Sequence, residues 1–171
     1  EAGAANALSA TSAHILGAAG TLRLDGHSNA IASLAGAAGS IVENGAAYGA
    51  VLTVGGSHAD TTFAGTLQNG GAGALALVKT GTGTLTLAGA NAYSGDTTVE
   101  GGTLRLDYGS NNGSKLADGG ALLLSGATVD LVGGSHLEQV GSTSLAAGTH
   151  NIISRSGGGS EICGPTVETA F

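Results

Sequence analysis

The chain has 171 residues, of which 33 are Gly, and it contains one Pro, one Cys and neither Met nor Trp. Its formal net charge is −7 and its five basic residues are scattered, so no basic patch could neutralise a run of phosphates and we expect no nucleic-acid partner. A single Cys excludes an internal disulfide framework, and no apolar run approaches the ~20 residues of a membrane helix, so we expect no membrane insertion by this segment.

Short sequence motifs with the pattern of a β-strand, called strand words below, recur along the chain. After an Ala-rich opening at 2–19, the word Gly-Thr-Leu-Arg-Leu spans 20–24 and returns letter for letter at 102–106. Close variants occupy 73–77, 83–87 and 120–124. Apolar and polar residues alternate at a period of two in these words, which predicts strands with one buried face and one solvent-exposed face. The Gly-rich corners between them predict frequent turns.

The repetition has a nearly constant period. One apolar anchor per cycle can be chosen at steps of 18 to 22 residues, at Leu22, Ile41, Phe63, Leu85, Leu104 and Leu122. Self-similarity at such a period is typical of stacked repeats, in which each turn buries its face against its neighbours. We therefore predict an all-β chain that forms a right-handed parallel β-helix (β-solenoid) with about 20 residues per turn and about eight turns. A β-sandwich or a barrel also has closely spaced short strands, but neither needs near-identical words at a fixed period.

The same alternation predicts which side chains fill the coil. We expect one set of aliphatic residues and one Phe to point inward, because they occupy the apolar phase of each strand word. The set consists of Leu22, Leu24, Ile31, Ile41, Leu52, Val54, Phe63, Leu75, Leu77, Leu85, Leu87, Val99, Leu104, Leu106, Leu122, Leu124, Val129 and Leu131.

One segment, residues 79–104, resembles a known family. Its glycines, its paired leucines, Asn91 and Tyr93 fall in the register of the autotransporter-associated β-strand repeat, found in the passenger regions of bacterial autotransporters. Ala92 and Asp96 depart from the repeat, but both are corner positions. A looser resemblance at 135–159 is to stretches that follow such repeats. The resemblance implies an exported β-helical stalk, extracellular or on the bacterial cell surface, and it implies no activity, since fold and function separate freely.

No motif in the sequence points to catalysis. There is no nucleophile elbow, phosphate-binding loop or His/Cys cluster at ligand spacing, so we expect no catalytic residue, no metal site and no cofactor. The close pairs Asp25 with His27 and His58 with Asp60 are interpreted as solvated corner residues rather than metal ligands. Carboxylates on one face of a β-helix could act on a polysaccharide, which keeps an enzyme as the third alternative.

Four asparagines recur close to once per turn, at Asn44, Asn69, Asn91 and Asn111. An Asn side chain can both donate and accept hydrogen bonds, so a column of them at one corner could satisfy the backbone of neighbouring turns. We predict such a structural column, with any binding role secondary.

The C-terminal residues differ from the rest. We expect the β-helix to occupy 1–160 and a tail outside the repeat pattern to occupy 161–171. The tail carries Ile162, Cys163, Val167 and Phe171, which could contact a second copy, because an unpaired end of a β-helix invites another strand.

Two functional hypotheses follow. The first is a non-catalytic extracellular structural β-solenoid, a stalk or adhesin module of an autotransporter-like protein whose partners would be host or matrix surface molecules. The alternative is a subunit that assembles with itself, head to tail, into an extracellular filament.

Overall fold

A computed structural model describes residues 2–168 as a coil of short strands. In chain order the strands are β1 (Ala13–Leu16), β2 (Thr21–Arg23), β3 (Asn29–Ile31), β4 (Ser33–Gly36), β5 (Ile41–Glu43), β6 (Ala50–Val54), β7 (Thr61–Phe63), β8 (Thr66–Gln68), β9 (Leu75–Lys79), β10 (Thr84–Leu87), β11 (Thr97–Val99), β12 (Thr103–Asp107), β13 (Ala121–Leu124), β14 (Thr128–Val132), β15 (Leu137–Gln139), β16 (Ser142–Leu145), β17 (Ile152–Ser156), β18 (Glu161–Cys163) and β19 (Thr166–Glu168). These described residues contain no helix, and therefore none long and apolar enough to cross a membrane.

Each turn of the coil visits three faces in the same order. The first sheet is β1-β4-β7-β10-β12-β14-β17, and the second contains β3, β6, β9, β11, β13, β16 and β19. The third face carries two separate ladders, β2-β5-β8 and β15-β18. Neighbouring strands pair in parallel, as Leu85 does with Leu104 and Leu104 with Val129. The chain completes about 6 turns of roughly 24 residues, which confirms the predicted parallel β-solenoid.

The predicted period of about 20 residues is too short because the chosen anchors do not all occupy equivalent positions in successive turns. Leu22 and Ile41 lie on the third face, whereas Phe63, Leu85 and Leu104 lie in the first sheet and Leu122 lies in the second. The steps from Ile41 to Phe63 and from Leu104 to Leu122 pass from one face to another, so each covers less than a full turn. Within the first sheet, Phe63 pairs with Leu87 and not with Leu85, so that step is also short. The true spacing also varies, since Thr84 pairs with Thr103 while Thr128 pairs with Ile152.

The residues predicted to point inward form part of the buried interior, with one exception. All residues of the predicted inward set are buried except Ile41, which is only partly buried, and its neighbour Val42 is fully buried in its place. In β5 the register therefore differs by one residue from the prediction, and a shift of one residue turns every side chain of a strand to the other face. Leu85, Leu104 and Val129 form one inward column of the first sheet.

Glycines at the corners allow the turns to stack closely. Gly81 has φ +69°, and a Cβ added to it would clash with the carbonyl oxygen of Gly55 in the neighbouring turn. Gly119, in contrast, has nothing within 4 Å of an added Cβ. Gly81 is therefore required by both its backbone conformation and its neighbour, whereas Gly119 is not.

Strand pairing is also present after residue 160. β18 pairs in parallel with β15, aligning Ile162 with Glu138, and β19 pairs with β16. Residues 161–163 therefore lie on the third face, and residues 166–168 lie in the second sheet.

Candidate functional site at the interrupted third face

The third face loses its regular pairing midway along the coil. A single bridge joins Gln68 at the end of β8 to Ala92 in the next turn, and the following turn has no strand on this face before β15 begins. The residues found there, 109–120, are rich in Gly, Asn and Ser. Such residues favour turns over strands, so the backbone here must find other hydrogen-bond partners.

Asn91 supplies part of the missing pairing. Its Oδ1 accepts a hydrogen bond from the amide of Leu67, at 2.9 Å, and its Nδ2 donates to the carbonyl oxygen of Lys115, at 2.8 Å. Its own amide donates to the carbonyl oxygen of Ser114, at 2.8 Å. One side chain therefore links three successive levels of the coil.

Glu138 provides further hydrogen-bond acceptors for the backbone of this loop from inside the coil. It lies in β15 with its side chain inward and 0% exposed. Oε2 accepts a hydrogen bond from the amide of Lys115 at 2.9 Å and another from the hydroxyl of Tyr108, and Oε1 accepts one from the amide of Leu116 at 2.8 Å. The carboxylate thus takes the place of a strand edge for the loop above it.

A buried cation accompanies this buried carboxylate. Lys115 is 0% exposed, and its ammonium donates to the carbonyl oxygens of Asn111 and Gly113 at 2.7 and 3.0 Å. The Nζ atom lies 4.9 Å from the centre of the Tyr108 ring, within range of a cation–π interaction. Burial lowers the pKa of Lys115, although the Glu138 charge acts in the opposite direction.

Tyr108 and His136 complete the cluster. Burial, followed by the negative charge of Glu138, raises the pKa of Tyr108 well above its ordinary value, so this phenol remains a hydrogen-bond donor. The His136 ring stacks on Tyr108 with centroids 5.2 Å apart, and its Nε2 lies 3.7 Å from Oε2 of Glu138. Tyr108, Lys115, His136 and Glu138 are called the polar cluster below.

A second buried lysine stabilises a corner within the repeat. Lys79 occupies an inward position of β9 and is 1% exposed. Its ammonium donates to the carbonyl oxygens of Thr80, Gly81 and Gly101 at 2.6, 3.1 and 3.2 Å. Burial lowers the pKa of Lys79. The geometry closes a corner between two turns and leaves this amine no access to a substrate.

A third charged group lies on the regular part of the third face. Glu43 is 6% exposed, and it accepts hydrogen bonds from Gln68 at 2.8 Å and from Nε of Arg23 at 2.7 Å. These three residues stand in one row, because β5 lies between β2 and β8. The hydrogen bond from Gln68 and then that from Arg23 lower the pKa of Glu43 below its ordinary 4.5.

The four predicted asparagines divide into different roles. Asn44 and Asn69 follow paired residues of β5 and β8, and each bonds an adjacent turn: Asn44 accepts from Gly26 and donates to Gly73, while Asn69 accepts from the Ser94 amide. Asn91 is not in the same column as Asn69. Because Ala92 pairs with Gln68, the residue level with Asn69 is Tyr93, two positions after Asn91. The Asn111 side chain accepts only from Gly113 of its own loop among the described residues.

A groove runs over the interrupted face where it meets the second sheet. It consists of two depressions, of about 440 and 560 Å³, which share Asp118 and Gly119 in their walls. Ser94 and Ser114 line the first depression, and Gln139 lines the second.

The other candidates from the sequence are placed as follows. Nδ1 of His58 accepts from the amide of Thr82 and Oδ1 of Asp60 accepts from the amide of Thr84, so both serve corner hydrogen bonds. Over residues 2–168, no group of three or more His, Cys, Asp or Glu side chains could hold a metal ion.

The four residues predicted at a joint between copies are only partly described. Ile162 is partly buried and packs against the core, and Cys163 is an exposed free thiol. Val167 lies in β19 with its side chain undescribed, and Phe171 is outside the described residues.

Comparison with known proteins identifies the repeat. Residues 77–106 match the passenger-associated-transport-repeat. This match begins in β9 and ends in β12, so it covers one complete turn and the strands β11 and β12 of the next. The chain is also similar to the adhesin BmaC autotransporter of Brucella suis biovar 1 (strain 1330), with 33% identity over 107 residues. That alignment covers 59% of this chain and 3% of the relative, so the chain spans a small part of its length. No solved structure matches the chain. The expected resemblance to an autotransporter passenger repeat region is confirmed.

Proposed function

We propose that this chain is a non-catalytic, extracellular structural module, a segment of β-solenoid stalk or adhesin displayed on a bacterial surface by an autotransporter-like protein. The observation that carries the proposal is that the matched repeat contains a full turn of the coil together with β11 and β12, which stack on β9 and β10 at its start. A repeat that encodes a whole turn adds length to a rod, and a rod serves to hold other parts of a protein at a distance.

The chemistry of the buried charges supports a structural role. Lys79, Lys115 and Glu138 bond mainly to backbone groups of adjacent turns or loops. A catalytic acid, base or nucleophile needs contact with a substrate, whereas these groups are enclosed. Hydrogen bonds between these charged groups and the backbone stabilise a coil that has few aromatic residues and, over residues 2–168, no helix.

Surface location can be tested on the source bacterium with antibodies raised against the purified 171-residue chain. We expect these antibodies to label intact cells. Labelling that requires permeabilisation of the cells would contradict the proposed location, and an antibody against a periplasmic protein serves as the control for cell integrity.

The non-catalytic role needs a separate test. We expect the purified chain to hydrolyse neither glycans, esters nor peptides above the rate of a heat-denatured sample. Turnover that disappears when a single Asp or Glu is replaced would contradict this part of the proposal.

A further inference from the structure

We propose that the groove over the interrupted third face binds a neutral oligosaccharide chain. The inference starts from the shape of the groove. Its walls come from four successive levels of the coil, represented by Ser94, Ser114, Gln139 and Cys163. Three strand spacings correspond to about 14 Å, which suits an extended ligand a few sugar units long.

The depth of the groove follows from the interruption. On the first and second sheets every level is bonded strand to strand, whereas the loop at Lys115 and Leu116 bonds to the inward carboxylate of Glu138. The loop therefore leaves the line of the strands, and Asp118 and Gly119 stand between the two depressions. The polar cluster fixes this shape from beneath, so the groove exists before any ligand binds.

The groove also offers polar groups that the protein does not use. Among the described residues, the side chains of Asp118 and Gln139 are exposed and make no hydrogen bond within the protein. The Ser94 hydroxyl accepts from Asn69 at 2.9 Å, which leaves its own proton available. A carboxylate, an amide and a hydroxyl in the walls of the groove offer the donors and acceptors that a chain of sugar hydroxyls requires.

The charge of the groove selects against acidic ligands. Among the described residues, Asp118 is the only charged one in the walls of the two depressions, and no Lys or Arg lines them. A phosphate, sulfate or uronate would meet an uncompensated carboxylate on a protein of net charge −7. Tyr93, which lies at the floor, is 4% exposed and bonded to Thr97, so it offers no open ring for stacking. Binding therefore depends on hydrogen bonds, and we expect an affinity around 1 mM.

Nuclear magnetic resonance of the ¹⁵N-labelled chain tests this inference with maltotriose and chitotriose as probes. We expect saturable shifts of amide resonances confined to 92–94, 116–119 and 139–141. Asp118→Ala should weaken binding at least about tenfold, because a hydrogen bond to a charged group is lost, and Gln139→Ala should weaken it less. Both residues are exposed, so we expect both variants to remain folded.

The matched control is Glu100→Ala, which removes an exposed carboxylate that makes no hydrogen bond among the described residues and lies outside the groove. This variant should bind as the unaltered chain does. The inference is overturned if neither trisaccharide shifts the groove resonances, if Glu100→Ala weakens binding as much as Asp118→Ala, or if a heparin-derived oligosaccharide or an extended peptide occupies the groove instead. None of these outcomes bears on the surface location, which the antibody experiment decides independently.

Discussion

Glu138→Gln should destabilise the chain far more than a change of one atom suggests. The carboxylate is fully buried, and its two oxygens receive the amides of Leu116 and Lys115 separately. A carboxamide has one acceptor oxygen, so its NH₂ group would face a buried N–H donor, and an unsatisfied buried donor costs about 1–3 kcal/mol. The buried ammonium of Lys115, which is bonded to carbonyl oxygens, would also lose the favourable effect of the Glu138 charge. We expect a loss of about 3 kcal/mol in the free energy of unfolding.

Urea unfolding followed by circular dichroism measures this loss, and hydrogen exchange reports whether the amides of Lys115 and Leu116 are released. Glu161→Gln is the matched control, because Glu161 is exposed and its ion pair with Arg155 is open to solvent. Such a pair contributes less than about 1 kcal/mol. A loss below about 1 kcal/mol for Glu138→Gln, or unchanged exchange at the two amides, would refute the structural role assigned to the carboxylate.

A double-mutant cycle separates the charge from the hydrogen bonds. Lys115→Met removes the cation while keeping a long apolar side chain. If the two charges stabilise each other, the variant carrying both changes should be more stable than the sum of the single losses predicts, by about 1–2 kcal/mol. Additive losses would mean that Glu138 acts through the loop amides alone.

Three further predictions concern the regular part of the coil. Leu85→Ala should lower the free energy of unfolding by about 2–5 kcal/mol, whereas the outward neighbour Thr86→Ala should change it by less than about 0.5 kcal/mol; equal effects in urea unfolding would contradict the inward assignment. Gly81→Ala should cost about 1 kcal/mol or more because of its positive φ and the adjacent carbonyl, while Gly119→Ala should be nearly neutral in the same assay, and the reverse order would contradict the corner geometry. Because hydrogen bonds lower the pKa of Glu43, its stabilising contribution is present above the ordinary value of 4.5 and is lost as pH falls through the lower folded-state value; Glu43→Gln should flatten that acid-side loss, and an unchanged pH dependence of the urea midpoint would contradict it.

The inward side chains of the repeat could be predicted because each strand word alternates cleanly. Leu85 and Leu87 are separated by one Thr, so a strand has only one way to bury both. Lys79 was not among the residues predicted to point inward, although it follows Leu75 and Leu77 in the same phase of the alternation. Its burial as a charged group is explained by the three carbonyl oxygens around its ammonium.

The errors came from places where local pattern is ambiguous. Ile41 and Val42 are adjacent apolar residues, so alternation alone does not decide which of them points inward. The turn length was underestimated because the three faces carry similar words, and only strand pairing shows which words share a face. Similar words at different faces are indistinguishable without that pairing.

The polar cluster left almost no signal in the sequence. In β15 the apolar residue Leu137 is exposed and the charged residue Glu138 is buried, which is the reverse of an ordinary strand pattern. This inversion makes sense only when the loop amides above the carboxylate are known, and those come from residues 22 or 23 positions earlier in the chain. A buried polar group is defined by its partners, and its partners here are set by how the turns stack.

The stacking of parallel strands also has a mechanical consequence. The backbone hydrogen bonds that join one turn to the next point along the rod, so tension applied from end to end opens one level before the next is loaded. Such a rod yields by peeling, turn after turn, and each released turn supplies roughly 24 residues of slack. Bending meets a different resistance, because it must stretch one sheet while it compresses another. At the proposed surface location, such a rod would resist bending under a sideways load and lengthen stepwise under a pull.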